Sequence, residues 1–419
     1  MANCSQSLPQ ELLDEIIEHT SYSDLANCAL TSRSFRASSQ RRTFSSIRLS
    51  PQDQSSFTLL AEIFATSPTL PAYVRFLQIE FAPGALQKAA FPNDSAPLLQ
   101  RFEHILALLT GVTTLSICTT DGVLHWGAVL PRARAAIRGA MSAMPLAKLR
   151  LRHINFSSTA QLSELVNSSA RLSCLSLVHV DPCDPTSESG PVQTETDDHR
   201  LDIATDIHSL TLHGHYLLVL SDALRSDPPG RHLTHLTLYV VGPTILTRAL
   251  DSLGERVSKL QSLCLNMWST FPLNTLVIPR PFPSLRTLEL FIILAGRTDV
   301  KFRDSCLALH ETPGFIDKHI SSLSPNGPLD QFTLTCMSIG PPDPTPFDTY
   351  LPDLLRETGL EASLIASGVQ RFSLGFPRDT FEIIYPPNPP QECDPTLYRQ
   401  AFPRLHERGI MEFACGYSR

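Results

Sequence analysis

The stretch that decides how this chain is read is Leu8–Ser50, LPQELLDEIIEHTSYSDLANCALTSRSFRASSQRRTFSSIRLS. Pro9 falls in a first helical turn, where its missing N–H removes no hydrogen bond, and Ser7 can cap that turn, so a helix is predicted from about Leu8 to His19. Its apolar residues Leu8, Leu12, Leu13, Ile16 and Ile17 fall at i, i+4, i+5, i+8 and i+9, a broad stripe, while Glu11, Asp14, Glu15 and Glu18 take most of the remaining surface. One face of this helix therefore wants a partner. Ser21 and Ser23 offer N-caps to a second short helix carrying Leu25, Cys28, Ala29 and Leu30, and Ser32 or Ser34 can open a third with Phe35 and Phe44. Three helices of this size bury little, so the segment is expected to lean on the remainder of the chain or on a bound partner.

At 419 residues the chain can hold a large core or two to three ordinary domains. A hydrophobic fraction of 42% with 18% charged residues is that of a globular protein. The net charge of −7 is mild, and the Arg41-Arg42 pair is the nearest thing to a basic run, which argues against a nucleic-acid or anionic-membrane surface. No basic residue precedes an apolar core at the N-terminus, and the longest apolar stretch, Leu290 to Ala295, is too short to span a bilayer. A cytoplasmic or nuclear location is expected. The 10 cysteines form no CxxC pair, and Cys118, Cys174, Cys264 and Cys336 sit in strand-like contexts, as reduced thiols would.

Beyond residue 50 a short apolar-x-apolar core recurs, at Leu77/Ile79, Leu115/Ile117, Leu149/Leu151, Leu175/Leu177, Leu210/Leu212, Leu236/Leu238, Leu263/Leu265, Leu288/Leu290, Phe332/Leu334 and Phe372/Leu374. The intervals run from 25 residues (Leu263 to Leu288) to 44 (Leu288 to Phe332), the range of one strand plus a helical or irregular return, with insertions in the longer units. Helical periodicity fills Ser56–Ala65, Leu98–Leu109, Pro131–Ala143, Ala160–Val166, Pro243–Leu253 and Ile316–Leu323. Alternating strand and helix predict parallel strands in a curved α/β solenoid with helices on its convex side. Asp181–Asp206 and Pro341–Pro346 read as surface excursions, and the tail from Tyr385, with Pro386, Pro387, Pro389 and Pro390, as a cap that continues neither a helix nor a central strand.

No residue is assigned a catalytic or metal-binding role. His213-Gly214-His215 and His232 with His235 lack a third ligand or an orienting carboxylate in sequence, and there is no HExxH, paired Cys, Gly-rich phosphate loop or GxSxG elbow. No cofactor is expected. Strand alternation instead nominates a ligand face of side chains that flank or separate the buried pairs: Arg150, Arg152, Thr211, His213, His235, Thr237, Tyr239, Cys264, Asn266, Glu289 and Phe291. Tyr239 and Phe291 among polar groups suit protein binding, and Arg150 with Arg152, two apart on one strand, is compatible with an anion.

The arrangement in Leu8–Ser50 resembles an F-box, the helical module by which substrate receptors dock onto the Skp adaptor of cullin-based SCF ubiquitin ligases. The resemblance is carried by Leu8-Pro9, Glu11-Leu12-Leu13, Ile16-Ile17, Asp24-Leu25, Cys28-Ala29-Leu30, Ser32, Phe35 and Arg36. The continuation Gln40-Arg41 with Phe44, Ile47 and Leu49 looks like fungal F-box-like families. Thr20 stands where the pattern favours Leu, and Phe35 where many members carry Trp. The later units resemble degenerate leucine-rich repeats without a regular asparagine ladder. These resemblances imply an F-box over residues 1–49, a leucine-rich-repeat-like substrate-binding solenoid over 50–384 and a Pro-rich cap or tail over 385–419. Leu8, Pro9, Leu12, Ile16, Ile17 and Leu25 would contact the adaptor and, through it, a cullin scaffold. The implied function is a non-catalytic substrate receptor for a target protein, and the alternative is an F-box-like repeat scaffold that recruits no ligase. Neither reading involves nucleic acid or membrane.

Overall fold

The computed structural model describes residues 8–50, 53–81, 96–119, 122–181, 206–213, 233–240, 242–278, 281–295, 306–323, 329–339, 345–376 and 395–415. They fall into two compact units, residues 1–174 with 183–188, and residues 175–182 with 189–419.

The first unit opens with three helices, α1 (Gln10–His19), α2 (Leu25–Thr31) and α3 (Arg33–Thr43). Ser32 begins α3 with its hydroxyl accepting a hydrogen bond from the Ser34 amide at 3.2 Å, which picks it over Ser34 as the cap. Strands and helices then alternate: β1 (Ser46–Leu49), α4 (Gln54–Thr66), β2 (Phe76–Phe81), α5 (Ala96–Leu108), β3 (Thr114–Thr119), the two-residue β4 (Leu124–His125), α6 (Pro131–Ala143), β5 (Lys148–Asn155), α7 (Thr159–Val166) and the first residue of β6 (Cys174–Asp181). Strands β1, β2, β3 and β5 pair parallel in that order, and β4 pairs with the far end of β5. The core lies between the strands and the returning helices, as where the Phe57 and Phe102 rings of α4 and α5 meet edge-on at 5.9 Å.

The second unit takes the rest of β6, then β7 (Ser209–His213), β8 (His235–Val240), α8 (Pro243–Ser252), β9 (Ser262–Trp268), β10 (Thr287–Ala295), α9 (Leu307–Leu323), β11 (Gln331–Ile339), α10 (Thr345–Glu357), α11 (Leu360–Ala366), β12 (Arg371–Phe376), α12 (Pro395–Ala401), α13 (Pro403–Glu407) and β13 (Met411–Cys415). Strands β7 to β13 pair parallel in chain order.

A backbone device repeats at the strand starts. The Ser45 carbonyl accepts from the amides of both Arg75 and Phe76 (2.9 Å each), that of Arg75 from Thr113 and Thr114 (2.9 and 3.0 Å), that of Thr113 from Ala147 and Lys148 (2.9 and 3.0 Å), and that of Ala147 from Ser173 and Cys174 (3.0 Å each). In the second unit His208 serves Thr234 and His235 (2.8 and 3.0 Å), Thr234 serves Gln261 and Ser262 (2.8 and 3.0 Å), and Gln261 serves Arg286 and Thr287 (2.8 and 2.9 Å). Each shared carbonyl uses both of its lone pairs, and the residue after each amide pair is the first of a buried apolar pair.

All ten apolar-x-apolar cores read from the sequence lie in strands with both members buried. The six predicted helices are present, but α9 begins at Leu307, not near Ile316, and runs through Pro313. A proline inside a helix costs about 3 kcal/mol; here Ala308, Leu309, Thr312, Phe315, Ile316 and Ile320 are all buried along the helix, which offsets it. The Pro-rich tail is described only in its later part. Residues 385–394 lie outside the described residues, but the chain beyond them forms α12, α13 and a further strand, β13, paired with β12. Most of Asp181–Asp206 and residues 341–344 also lie outside the described residues, while Pro346 falls within α10.

The alternation on β5 makes a direct test. Leu151→Ala, at a site with 0% exposure, should cost about 2–5 kcal/mol in urea unfolding, whereas Arg150→Ala beside it, on the exposed side, should stay within about 0.5 kcal/mol.

Candidate functional site

The α1 helix begins at Gln10, two residues later than the sequence predicts, and with Leu8 just ahead of it presents two apolar columns with different fates. Leu13 and Ile17, one turn apart, are 7% and 1% exposed and face into the helical cluster. Leu8, Leu12 and Ile16, also at four-residue spacing, are 53%, 46% and 46% exposed. Contact with α3 settles which column turns inward. The Gln10 amide donates to Ser38 Oγ at 3.1 Å and to Asp14 at 2.8 Å, the Ser38 hydroxyl donates to Asp14, and the Arg42 guanidinium donates to the Ile17 carbonyl. Ser38 and Ser39 are both buried, and their small side chains let α1 and α3 approach closely. The hydrogen bonds from Ser38 and Gln10, and more weakly the charge of Arg41 at 3.6 Å, hold the Asp14 carboxyl below its ordinary value.

Two residues expected at the adaptor contact are thereby corrected: Ile17 and Leu25 are each 1% exposed and form the cluster's own core, because three short helices have few other apolar groups to bury. Leu8, Pro9, Leu12 and Ile16 stay on the surface. Tyr22 and Leu30, which the sequence reading does not assign to that surface, are 64% and 81% exposed. Five of the nine large hydrophobic residues exposed among the described residues thus lie between Leu8 and Leu30. For Leu30 the signal is present in the sequence, an apolar residue in the last turn of a helix whose burial Leu25 already serves. The Leu8–Leu12–Ile16 column ends at Thr20, whose hydroxyl turns back to the Ile16 carbonyl at 2.8 Å.

In the second unit, register places most of the nominated strand residues in two rows on one face. Thr211, Thr237, Cys264 and Glu289 form one row, and His213, Tyr239, Asn266 and Phe291 the next. The rings of His179, His213 and Tyr239 meet edge-on at centroid distances of 4.2 and 4.3 Å. His235 lies one row earlier, exposed, with its Nδ1 2.9 Å from the Thr234 hydroxyl. The open part of the face ends there. Asn266 and Phe291 are 4% and 5% exposed, which corrects their assignment to a solvent-facing surface. Phe291 stands in register between Asn266 and Thr335, both buried, and Ile293 follows it on the same face, also buried, so apolar crowding encloses this end. Thr335 donates to Glu289 at 2.9 Å. Trp268, in register with Ile293 and 46% exposed, is an aromatic group on this side that strand alternation did not nominate.

Arg150 and Arg152 belong to the first unit, on the outward side of β5, Arg150 exposed and Arg152 half-buried. Among the described residues no three or more His, Cys, Asp or Glu side chains are grouped to hold a metal ion, and no helix is long and apolar enough to cross a membrane. His215 and His232 lie outside the described residues. Burial pushes the Cys118 thiol up to about 11 and raises those of Cys264 and Cys336 as well, so these sulfurs are protonated, poor nucleophiles.

With this geometry in view, the comparison with protein families is specific: the F-box domain model matches residues 5–45. No curated protein shows significant similarity to the chain. The F-box match covers the helical cluster and its exposed column.

Two measurements check the division of labour in α1. Ile17→Asp should abolish the cooperative melt of the helical cluster, while Ile16→Asp should leave far-UV ellipticity unchanged; equal damage from both would refute the two-column description. Asp14 gives a pH signature. Its carboxyl is depressed in the folded state, so its contribution is fully present above the unfolded value of about 3.9 and is lost as pH falls through the folded one. The difference in melting temperature between the wild type and Asp14→Asn should be largest near neutrality and should narrow only as pH falls below the ordinary carboxylate range, through the depressed folded value, where Asp14 takes up its proton.

Proposed function

We propose that the protein is the substrate-recognition subunit of an SCF-type ubiquitin ligase. Residues 1–49 serve as the docking module for a Skp adaptor, residues 50–384 as a leucine-rich-repeat-like solenoid that holds a target protein, and residues 385–419 as its C-terminal cap. The observation that carries this reading is the coincidence of the F-box match with an apolar column, Leu12 and Ile16 with Leu8 just ahead of the helix, left on the surface beside α1, whose other column, Leu13 and Ile17, is packed.

In this role the chain performs no bond chemistry. It holds the adaptor with one module and the target with the other, so that a lysine of the target meets a charged ubiquitin-conjugating enzyme at high effective concentration. Leu8, Leu12 and Ile16 are already about half covered, so burying the remainder contributes about 1 kcal/mol each, with Tyr22 and Leu30 extending the same apolar surface. A cytoplasmic or nuclear location follows from the partners. The strand rows around Thr211, His213, Thr237 and Tyr239 in the second unit, and around Arg150 and Arg152 in the first, are the surfaces assigned to the target.

One observation favours the second reading, an F-box-like scaffold that binds partners without recruiting a ligase. The apolar column stops at Thr20, one turn short of where the family pattern continues it with Leu, and that hydroxyl is bound back to the helix. Copurification decides between the two. Full-length protein should retain the Skp adaptor, and Leu12→Asp combined with Ile16→Asp should abolish retention without loss of ellipticity. A folded full-length protein that retains no adaptor would leave the scaffold reading in place.

A further inference from the structure

Strands β9, β10 and β11 contain no Lys, Arg or His, yet the outward side of the middle one carries a half-buried carboxylate, Glu289. Register sets Cys264 of β9 on one side of it and Thr333 of β11 on the other. Thr335 donates to Glu289 at 2.9 Å, a neutral hydroxyl that uses one lone pair of a group able to accept about four hydrogen bonds. The Cys264 sulfur brings no positive charge either, because burial, and after it the charge of Glu289, raises that thiol and keeps it neutral. Further along the sheet the cationic groups of this face are engaged elsewhere. Two strands away on one side, His235 of β8 has its Nδ1 2.9 Å from the Thr234 hydroxyl, and two strands away on the other, Arg371 of β12 lies 3.3 Å from Glu412 of β13. Arg286, just ahead of β10, is 3.7 Å from Asp330. Neither neighbouring strand thus supplies Glu289 with a counter-charge.

A second acceptor stands beside it. Asn266, one outward position on from Cys264, is 4% exposed, and its one hydrogen bond among the described residues is a long one, from its amide to the Cys264 sulfur at 3.7 Å. The amide is therefore turned toward the sulfur that Glu289 also meets, and its carbonyl oxygen has no donor. A buried acceptor of this kind ordinarily has a partner. Carboxylate and carbonyl flank one sulfur at the place where the open row of Thr211, Thr237, Cys264 and Glu289 gives way to the enclosed end of the face. What both lack is a donor, and Glu289 lacks one that carries positive charge.

We propose that this face of the second unit takes a lysine side chain of a partner protein, its ammonium held between the Glu289 carboxylate and the Asn266 carbonyl. Lysine suits the place better than arginine. An ammonium is compact and aims three donors at separate acceptors, whereas a guanidinium is strongest as a planar fork on both oxygens of a carboxylate, and one Glu289 oxygen already holds Thr335. Tyr239, in register with Asn266, and Trp268, 46% exposed, border the site and offer apolar footing to the residues beside the lysine. The net charge of −7 favours the approach of a basic segment. The proposal deepens the receptor reading by naming the chemistry of the substrate, and rests on that reading only in calling the bound partner a substrate.

The test is fluorescence anisotropy of full-length protein, without adaptor, against a labelled peptide of about twelve residues with one lysine between two leucines in a serine and glycine background. The wild type should bind it, should bind the arginine analogue about threefold more weakly, and should not bind the analogue with an acetylated lysine, which keeps the stem and loses the charge. Glu289→Gln, which keeps an oxygen for Thr335, should weaken binding about tenfold, the loss of one charge-assisted contact, and Asn266→Leu should weaken it about threefold. Glu412→Gln removes a carboxylate of the same outward row that Arg371 already pairs, and should change binding by less than about twofold. No binding by the wild type, equal binding of the acetylated peptide, unchanged binding by Glu289→Gln, or equal loss with Glu412→Gln would overturn the proposal. So would tighter binding of the arginine analogue, which would remove the choice of lysine. The acetylated peptide decides the matter on the wild type alone, so the outcome stands even if a variant does not fold. Because the adaptor is absent, failure of adaptor copurification refutes the receptor reading while leaving this result legible.

Discussion

A backbone carbonyl at the start of one strand, shared by two consecutive amides of the next, is the constraint on which each unit depends. Ser45, Arg75, Thr113 and Ala147 play this part in the first unit, and His208, Thr234 and Gln261 in the second. A one-residue slip in a parallel pair would turn every leucine of a strand from the core to the outside. The shared carbonyl removes that freedom at the first residue. Leu77, Leu115, Leu149 and Leu175 each follow such an amide pair, as do Leu236, Leu263 and Leu288, and all are buried. Backbone geometry and the apolar pattern thus specify the same register, the kind of agreement between levels that makes a fold unique.

That agreement explains why the strands are legible in the sequence. An apolar-x-apolar pair needs only its own few residues to be recognised, and ten of them recur along the chain. The elements that escape such reading do so for a physical reason. The two residues of β4 are too few for a period. Strand β13, Met411–Cys415, does carry an apolar-x-apolar pair, Met411 and Phe413 in register with Phe372 and Leu374, but it comes after a proline-rich stretch that argues against regular structure. Local sequence cuts helix α9 short at Pro313, because it shows the cost of an interior proline and hides the burial of Ala308, Leu309 and Thr312 that outweighs it.

The candidate docking surface is legible in outline and wrong in detail for a related reason. Periodicity identifies a stripe wide enough to hold two columns of α1, but not which column meets a neighbouring helix some 25 residues later. Ser38, Ser39 and Arg42 decide that, through close approach and hydrogen bonds that no spacing rule contains. Ile17 and Leu25 therefore turn inward, and Leu8, Leu12 and Ile16 remain outside. The same limit applies to Phe291. Alternation gives the side of the sheet on which a residue stands, and only its neighbours, Asn266, Ile293 and Thr335, determine that this part of the side is enclosed.

Least legible of all is the backbone distortion carried by His153 and His179, at φ 55° and 52°. Their settings are alike, Leu149-Arg150-Leu151-Arg152-His153-Ile154 in β5 and Leu175-Ser176-Leu177-Val178-His179-Val180 in β6, with the last residue of each buried. Period-2 reading assigns His153 and His179 to the core and their successors to the outside, the reverse of what is found. The sense of the error is instructive. Left in regular alternation, a histidine would face an apolar interior and have to find hydrogen bonds there; a positive φ moves the ring outward and lets isoleucine or valine take the inward place. In β6 the ring so displaced packs edge-on against His213, and His213 against Tyr239, making an aromatic row across three strands. The strain at a single residue is thus offset by burial of its successor, and the outward face gains side chains that an undistorted strand would have hidden.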